Sequence, residues 1–156
     1  MLAGLGAYTL YLALLYDWRG RFGPGDLTLT VTAAQGSLTV ALRNNSAFKM
    51  IVHDSPDLAG PFKITLTPAA GGAEVPRARS ALLSLSGSAW ILAPGGEASW
   101  SVAVARLYPG LPPGSYRVVV AYDPEAAAGR GEACAEDLTL GRVEAQPVQV
   151  TVGAAK

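Results

Sequence analysis

The chain has 156 residues, enough for one domain that builds its own core without cross-links. Half of the residues are hydrophobic and only 15% are charged, with Lys plus Arg and Asp plus Glu at 12 each. This balance, free of charge runs, argues against the electrostatic footprint of a nucleic-acid binder, and one cysteine, Cys134, rules out an intrachain disulfide.

The first element is apolar. From Leu2 to Tyr16 no residue is charged, and the run stops at Asp17-Trp18-Arg19. As a helix, sixteen residues span about 24 Å, a little short of a hydrocarbon core of about 30 Å. Tyr8, Tyr11, Tyr16 and Trp18 suit an interface, with Arg19 and Arg21 among headgroups. Three readings stand. One is a membrane anchor carried by Leu2, Leu5, Leu10, Leu12, Leu14, Leu15 and Trp18. The second is a secretory signal peptide, opposed by the lack of Lys or Arg before the run and of a clean small-x-small site after it. The third is a helix packed in the protein's own core or against a partner. The anchor is the reading carried forward. It divides the chain into a hydrophobic segment, 1–21, and a domain, 22–156.

After Gly25 the period changes to two. Leu27, Leu29 and Val31 alternate with threonines, and Leu38, Val40 and Leu42 repeat the pattern. The short link "AAQG" predicts an antiparallel hairpin. Further strands are predicted over 48–53, 61–67, 88–93, 98–105, 115–122 and 147–152, with a short edge around Val75. Residues 77–85 suit a strand or a bridge between sheets. "PGGE" after Ala93 is a turn, because Pro presets φ and Gly takes positive φ. The strand 115–122 is apolar on both faces, as a central strand should be. Residues 123–137 hold at most one helical turn, since Gly129 and Gly131 interrupt them. The expected fold is all-β: an immunoglobulin-like antiparallel sandwich of seven to nine strands behind an N-terminal hydrophobic helix, with an eight-stranded barrel as the alternative.

"LPPGSYRVVV" (111–120) resembles the corner of fibronectin type III domains, with one residue fewer between Gly114 and Tyr116. It is closer to the "P-G-x-Y-x-V-x-V" entry of bacterial immunoglobulin-like modules. "LTVALRNNS" (38–46) and "LAPGGEASWSV" (92–102) also resemble such modules, and the Bacillus-type intracellular proteinase inhibitor domain has a similar arrangement. The resemblance covers residues 26–152. It implies a sandwich in which Tyr116 is a core or corner residue, and it implies no activity.

Catalytic chemistry is hard to build. His53 is the only histidine, Asp54 beside it points to the opposite strand face, and no G-x-S-x-G elbow supplies a nucleophile. Met50, His53 and Cys134 lack the second histidine of a blue-copper site. Asp54 and Asp57, or Glu132, Glu136 and Asp137, suit solvated turns better than a calcium loop. Acidic neighbours make Cys134 an inert thiol. No carboxylate pair is positioned for glycoside hydrolysis. "GLG" at 4–6 lies inside the apolar run, so it is no phosphate loop. Asn44-Asn45-Ser46 is a glycosylation sequon. No cofactor, metal or catalytic residue is expected.

The function expected is therefore non-enzymatic. An envelope-associated immunoglobulin-like module, bound to the membrane through residues 1–18, contacts another protein through loops 53–61, 105–113 or 123–137. Leu107, Tyr108 and Leu111 are the expected contact residues. The flanking arginines point the domain to the cytoplasm, whereas its sandwich character favours an extracytoplasmic position or secretion. The alternatives are a proteinase-inhibitor-like module and an accessory subunit of a membrane complex packed through its N-terminal helix.

Overall fold

A computed structural model describes residues 23, 25–53, 55, 57–77, 89–124 and 141–153. The N-terminal helix expected from Leu2, Leu5, Leu10, Leu12, Leu14, Leu15 and Trp18 lies outside the described residues, as does the bridge expected over 77–85 beyond Arg77. Among the described residues no helix is long and apolar enough to cross a membrane.

The fold is all-β, with nine strands and one turn of helix among the described residues. β1 (Leu27–Ala34), β2 (Ser37–Asn44) and β6 (Glu97–Ala103) form one antiparallel sheet in the order β1-β2-β6. β3 (Met50–His53) and β5 (Ala89–Leu92) pair as a short ribbon. β4 (Phe62–Pro68) pairs with β7 (Gly114–Tyr122), whose other edge takes both β8 (Val143–Glu144) and β9 (Val148–Val152). The period-two pattern explains which side chains turn inward. Leu38, Val40 and Leu42 of β2 and Ala98, Trp100 and Val102 of β6 are all buried. β7 buries Val118, Val120, Ala121 and Tyr122, as its central place requires.

These inward faces make one core. Phe62 of β4 meets Trp100 of β6 edge-on, with ring centroids 5.2 Å apart, and meets Tyr122 at the same distance. The predicted strand 98–105 ends early: Val104 begins α1 (Val104–Leu107), and the edge expected around Val75 is a single bond, Val75 N–H to Leu66 O. β8 has no period-two signal in two residues, and the sequence reading missed it.

The β1–β2 hairpin turns at Gln35 and Gly36, both with positive φ (46° and 77°). That pair matches the twist of the flanking strands. The opposite end of β2 is organised by Asn44, which is fully buried. Its Nδ2 donates to Phe48 O (2.6 Å), Leu92 O (2.9 Å) and Ala93 O (3.2 Å). Its Oδ1 accepts from the Ser46 N–H and hydroxyl. Its backbone N–H donates to Gly96 O, and its carbonyl accepts from Gly95 N–H. Gly96 is obligatory there, since a Cβ would stand 2.9 Å from Ala93 O. Asn44 satisfies the glycosylation sequon only on paper: its amide nitrogen is buried and committed to three carbonyls.

Replacing Asn44 with Ala strands several buried carbonyls and N–H groups, each worth about 1–3 kcal/mol. Denaturant unfolding should show Asn44→Ala less stable by about 3 kcal/mol. Asn44→Asp should be at least as damaging, because a carboxylate oxygen would face carbonyls. A loss below about 1 kcal/mol for Asn44→Ala would show that this amide does not organise the end.

Candidate functional site

The loop "ARLYPGLPPG" is expected to be exposed, with Leu107, Tyr108 and Leu111 as contacts. The structure corrects this. Val104, Leu107 and Tyr108 stand at i, i+3 and i+4, the spacing that puts side chains on one face of a helical turn. In α1 that face points inward: Leu107 is 4% exposed and Tyr108 2%. Neither side chain is accessible to a partner docking on the folded domain. Leu111 is half-buried against the core.

Tyr108 has a structural task. Its hydroxyl donates to Ile64 O at 3.1 Å, and Val75 N–H donates to Leu66 O at 2.8 Å. Together they occupy the edge of β4 that does not face β7, where unpaired carbonyls would otherwise invite another strand. Burial pushes the Tyr108 phenol up to about 12, with Glu74 adding to the shift and Arg77 opposing it. Arg77 is itself drawn below the ordinary arginine range by burial, opposed by Tyr108 and Asp57. Its guanidinium donates to Leu58 O (3.0 Å) and Asp57 O (2.7 Å). Arg106 closes the group with a 2.9 Å ion pair to Asp57. Two of the expected contact loops, 53–61 and 105–113, are therefore joined to each other.

What remains outward is Pro109–Pro113. Pro109, Gly110, Pro112 and Pro113 are exposed, while Leu111 roots the loop in the core. The loop is tied at both ends. Tyr108 N–H donates to Val104 O and Leu111 N–H to Tyr108 O. At the far side Tyr116, buried at the start of β7, donates its hydroxyl to Pro112 O at 2.7 Å. Three prolines fix φ, so the loop loses little freedom on binding. It offers carbonyls and apolar ring faces, and it presents no nucleophile, acid or base.

The loop sits at a defined end. Val104 N–H donates to Gly36 O in the β1–β2 turn, and Gly114 pairs with Val152. The other end holds Asn44, Asn45 and the start of β1. Three large apolar side chains are left exposed among the described residues, Phe48 at 43%, Trp90 at 40% and Ile91 at 67%, and nothing in the sequence warned of Phe48 or Trp90. Strand alternation gave a signal for Ile91, since Trp90 and Leu92 share one face and Ile91 takes the other.

Other expected residues divide between described and undescribed. Asp57 pairs with Arg106, and Asp54 lies outside the described residues. His53 joins β3 opposite Ala89 through its backbone. Cys134, Glu132, Glu136 and Asp137 lie outside the described residues, with nearly all of loop 123–137. Among the described residues no three His, Cys, Asp or Glu side chains group as metal ligands. A scan of the chain against protein-family models finds no match, and a search of curated proteins returns none.

The phenol supplies a pH test. Unfolded, Tyr108 ionises near its ordinary 10.0, and folded near 12. The folded state therefore holds a proton that the unfolded state has lost between those values. Stability is full well below pH 10 and falls by about 2 kcal/mol as pH rises to 12. Tyr108→Phe should lose about 1 kcal/mol at neutral pH through the missing bond to Ile64 O, yet lose less stability above pH 10 than the wild type. Unfolding curves from pH 9 to 11 check this; parallel curves for the two proteins would contradict it.

Proposed function

We propose that the chain is a non-enzymatic, immunoglobulin-like module, held at an envelope membrane by residues 1–18, that contacts another protein through Pro109–Pro113. Three features support the immunoglobulin-like reading. The faces of the β1-β2-β6 and β4-β7 sheets meet at Phe62 and Trp100. Tyr116 opens β7 and bonds back to the backbone four residues upstream, as a tyrosine corner does. The β2 strand ends in a buried Asn. The observation that carries the functional reading is the placement of the tied loop. β1 enters at the Asn44 end and runs eight residues to the loop end. Its seven steps of about 3.3 Å place the loop end about 23 Å from the point of entry. A module anchored through its N-terminus would present the loop away from the anchor.

The same tied loop also favours the proteinase-inhibitor-like reading, since a preordered segment suits a cleft. A panel of proteases separates the two: inhibition by the wild type and not by loop variants selects the inhibitor. For the display reading, the full chain is purified from native membranes in mild detergent and the retained proteins are compared with those of Leu111→Ser/Pro112→Ser. The variant should weaken capture about tenfold, equivalent to about 1.4 kcal/mol, while its melting temperature falls only a few degrees. Unchanged capture rejects the loop. Removal of residues 1–21 should move the protein from the membrane to the soluble fraction; identical partitioning rejects the anchor.

A further inference from the structure

We infer that β1 is a self-association edge, along which two copies of the chain pair antiparallel and join their β1-β2-β6 sheets into one. The inference concerns residues 27–34 and does not rest on the reading of residues 1–18 as an anchor. Were both chains anchored, reversal of β1 across the two-fold axis would set their points of entry at opposite ends, as for chains held by facing bilayers.

The edge follows from the β1–β2 hairpin. Asn45 N–H donates to Asp26 O, so residues 26 and 45 face each other as a hydrogen-bonded pair. Such pairs recur at every second residue of an antiparallel ladder. Thr28, Thr30, Thr32 and Ala34 therefore spend their N–H and C=O groups on Arg43, Ala41, Thr39 and Ser37 of β2. Leu27, Leu29, Val31 and Ala33 aim theirs off the open side, where no described strand pairs. The other edges are short or blunted. Tyr108 and Val75 cover β4. β6 has Glu97 at one end and the α1 turn at the other. β9 is five residues long, and β3 and β5 are four each. β1 is eight residues long and continuous in register, with no proline, bulge or charge, the devices that normally protect an edge.

The edge also fits itself. Pairing with a second β1 matches outward residues with outward residues, so 27, 29, 31 and 33 of each copy meet. The register that sets Leu27 opposite Ala33 and Leu29 opposite Val31 uses all of them and places Thr30 on the two-fold axis. In it every outward N–H and C=O finds a partner, and the apolar side chains of both copies stay on the core side. Thr28 then lies opposite Thr32, and Thr30 opposite its own copy, in threonine pairs that favour strand pairing. Nothing repels the approach, since no residue from Leu27 to Leu42 is charged and the net charge is zero. In the other layer β8 and β9 run beside β1, with Cα atoms within 8 Å. Val31, Ala33, Val143, Val148 and Val152 are only half-buried, so this seam is open and a second copy covers apolar surface there. A different partner strand would need the same uncharged alternation, and this chain already carries it.

The test uses the full chain in mild detergent, with Cys134→Ser as background. Sedimentation should show a dimer that dissociates on dilution. Across the axis the two Thr30 residues form a pair without mutual hydrogen bonds, whose Cα atoms stand about 4.5 Å apart, within the range a disulfide spans. Thr30→Cys should therefore oxidise to a covalent dimer. Thr28→Cys and Thr32→Cys should each fail to cross-link alone and should cross-link when mixed. Thr30 is exposed, so charge there leaves the monomer folded. Thr30→Lys and Thr30→Glu, which set like charges opposite each other, should each weaken the dimer up to about fivefold, and an equal mixture should restore it. A chain that stays monomeric at every concentration overturns the inference and leaves the anchor standing. A dimer that does not cross-link at position 30, or that cross-links at 28 or 32 alone, uses another face or register and also overturns it. So does a monomer whose Leu29 and Val31 amides resist hydrogen exchange, because the edge is then filled from within the same chain.

Discussion

One buried carboxamide governs the end of the domain where the chain enters. Asn44 brings four polar groups of its own into a place without water, and each must find a partner or cost free energy comparable to a lost hydrogen bond. Partners exist only if residues 45–48, 92–93 and 95–96 all converge on it. Of the large apolar side chains in those segments Leu92 is buried in the core and Phe48 is exposed, so burial alone holds only one of the three segments there. The carboxamide thus does what regular pairing does elsewhere: it joins β2 to the start of β3 and to the β5–β6 turn. Because Leu27 pairs with Asn44, it also fixes where β1 begins.

The other end uses phenols in place of a carboxamide. Tyr108 and Tyr116 each bury a ring and extend a hydroxyl to a backbone carbonyl, Ile64 O and Pro112 O. A tyrosine serves this purpose because its ring gains from burial while its hydroxyl satisfies an acceptor beyond the reach of the backbone. Tyr108 closes the edge of β4 and Tyr116 holds the loop that follows. A single helical turn makes both possible. By shortening β6 at Ala103 it swings Leu107 and Tyr108 under the core and leaves Ala105, Arg106, Pro109, Gly110, Pro112 and Pro113 outside.

The alternation in 27–42 and 62–66 made those strands legible, because period two is imposed by a sheet with one buried face, while the run 115–122, apolar on both faces, marked the central strand. "VAVARLY" misled for the same reason. Its first residues continue the alternation of β6, and only the i, i+3, i+4 spacing of Val104, Leu107 and Tyr108 betrays the turn. Four residues give too little periodicity to outweigh the seven before them. Asn44 was visible as a motif residue but not as a buried one, since an Asn at a strand end usually meets water. Phe48 and Ile91 were assigned to strands without a face, because "FKMIVH" and "SAWILA" are apolar throughout and cannot say which side turns out. The placement of the Pro109–Pro113 loop opposite the entry of β1 is a property of pairing, and no local pattern encodes it.

The two ends make sense together. A loop preordered by prolines saves entropy on binding only if the body that carries it is also oriented; a domain swinging freely on a tether spreads the loop over many directions and loses much of that saving. The stiff part between is β1–β2–β6, whose continuous pairing links the Asn44 end to the Gly36 turn and the start of α1. The position of the loop relative to the start of β1 is thereby fixed, without a hinge in that sheet, across about 23 Å.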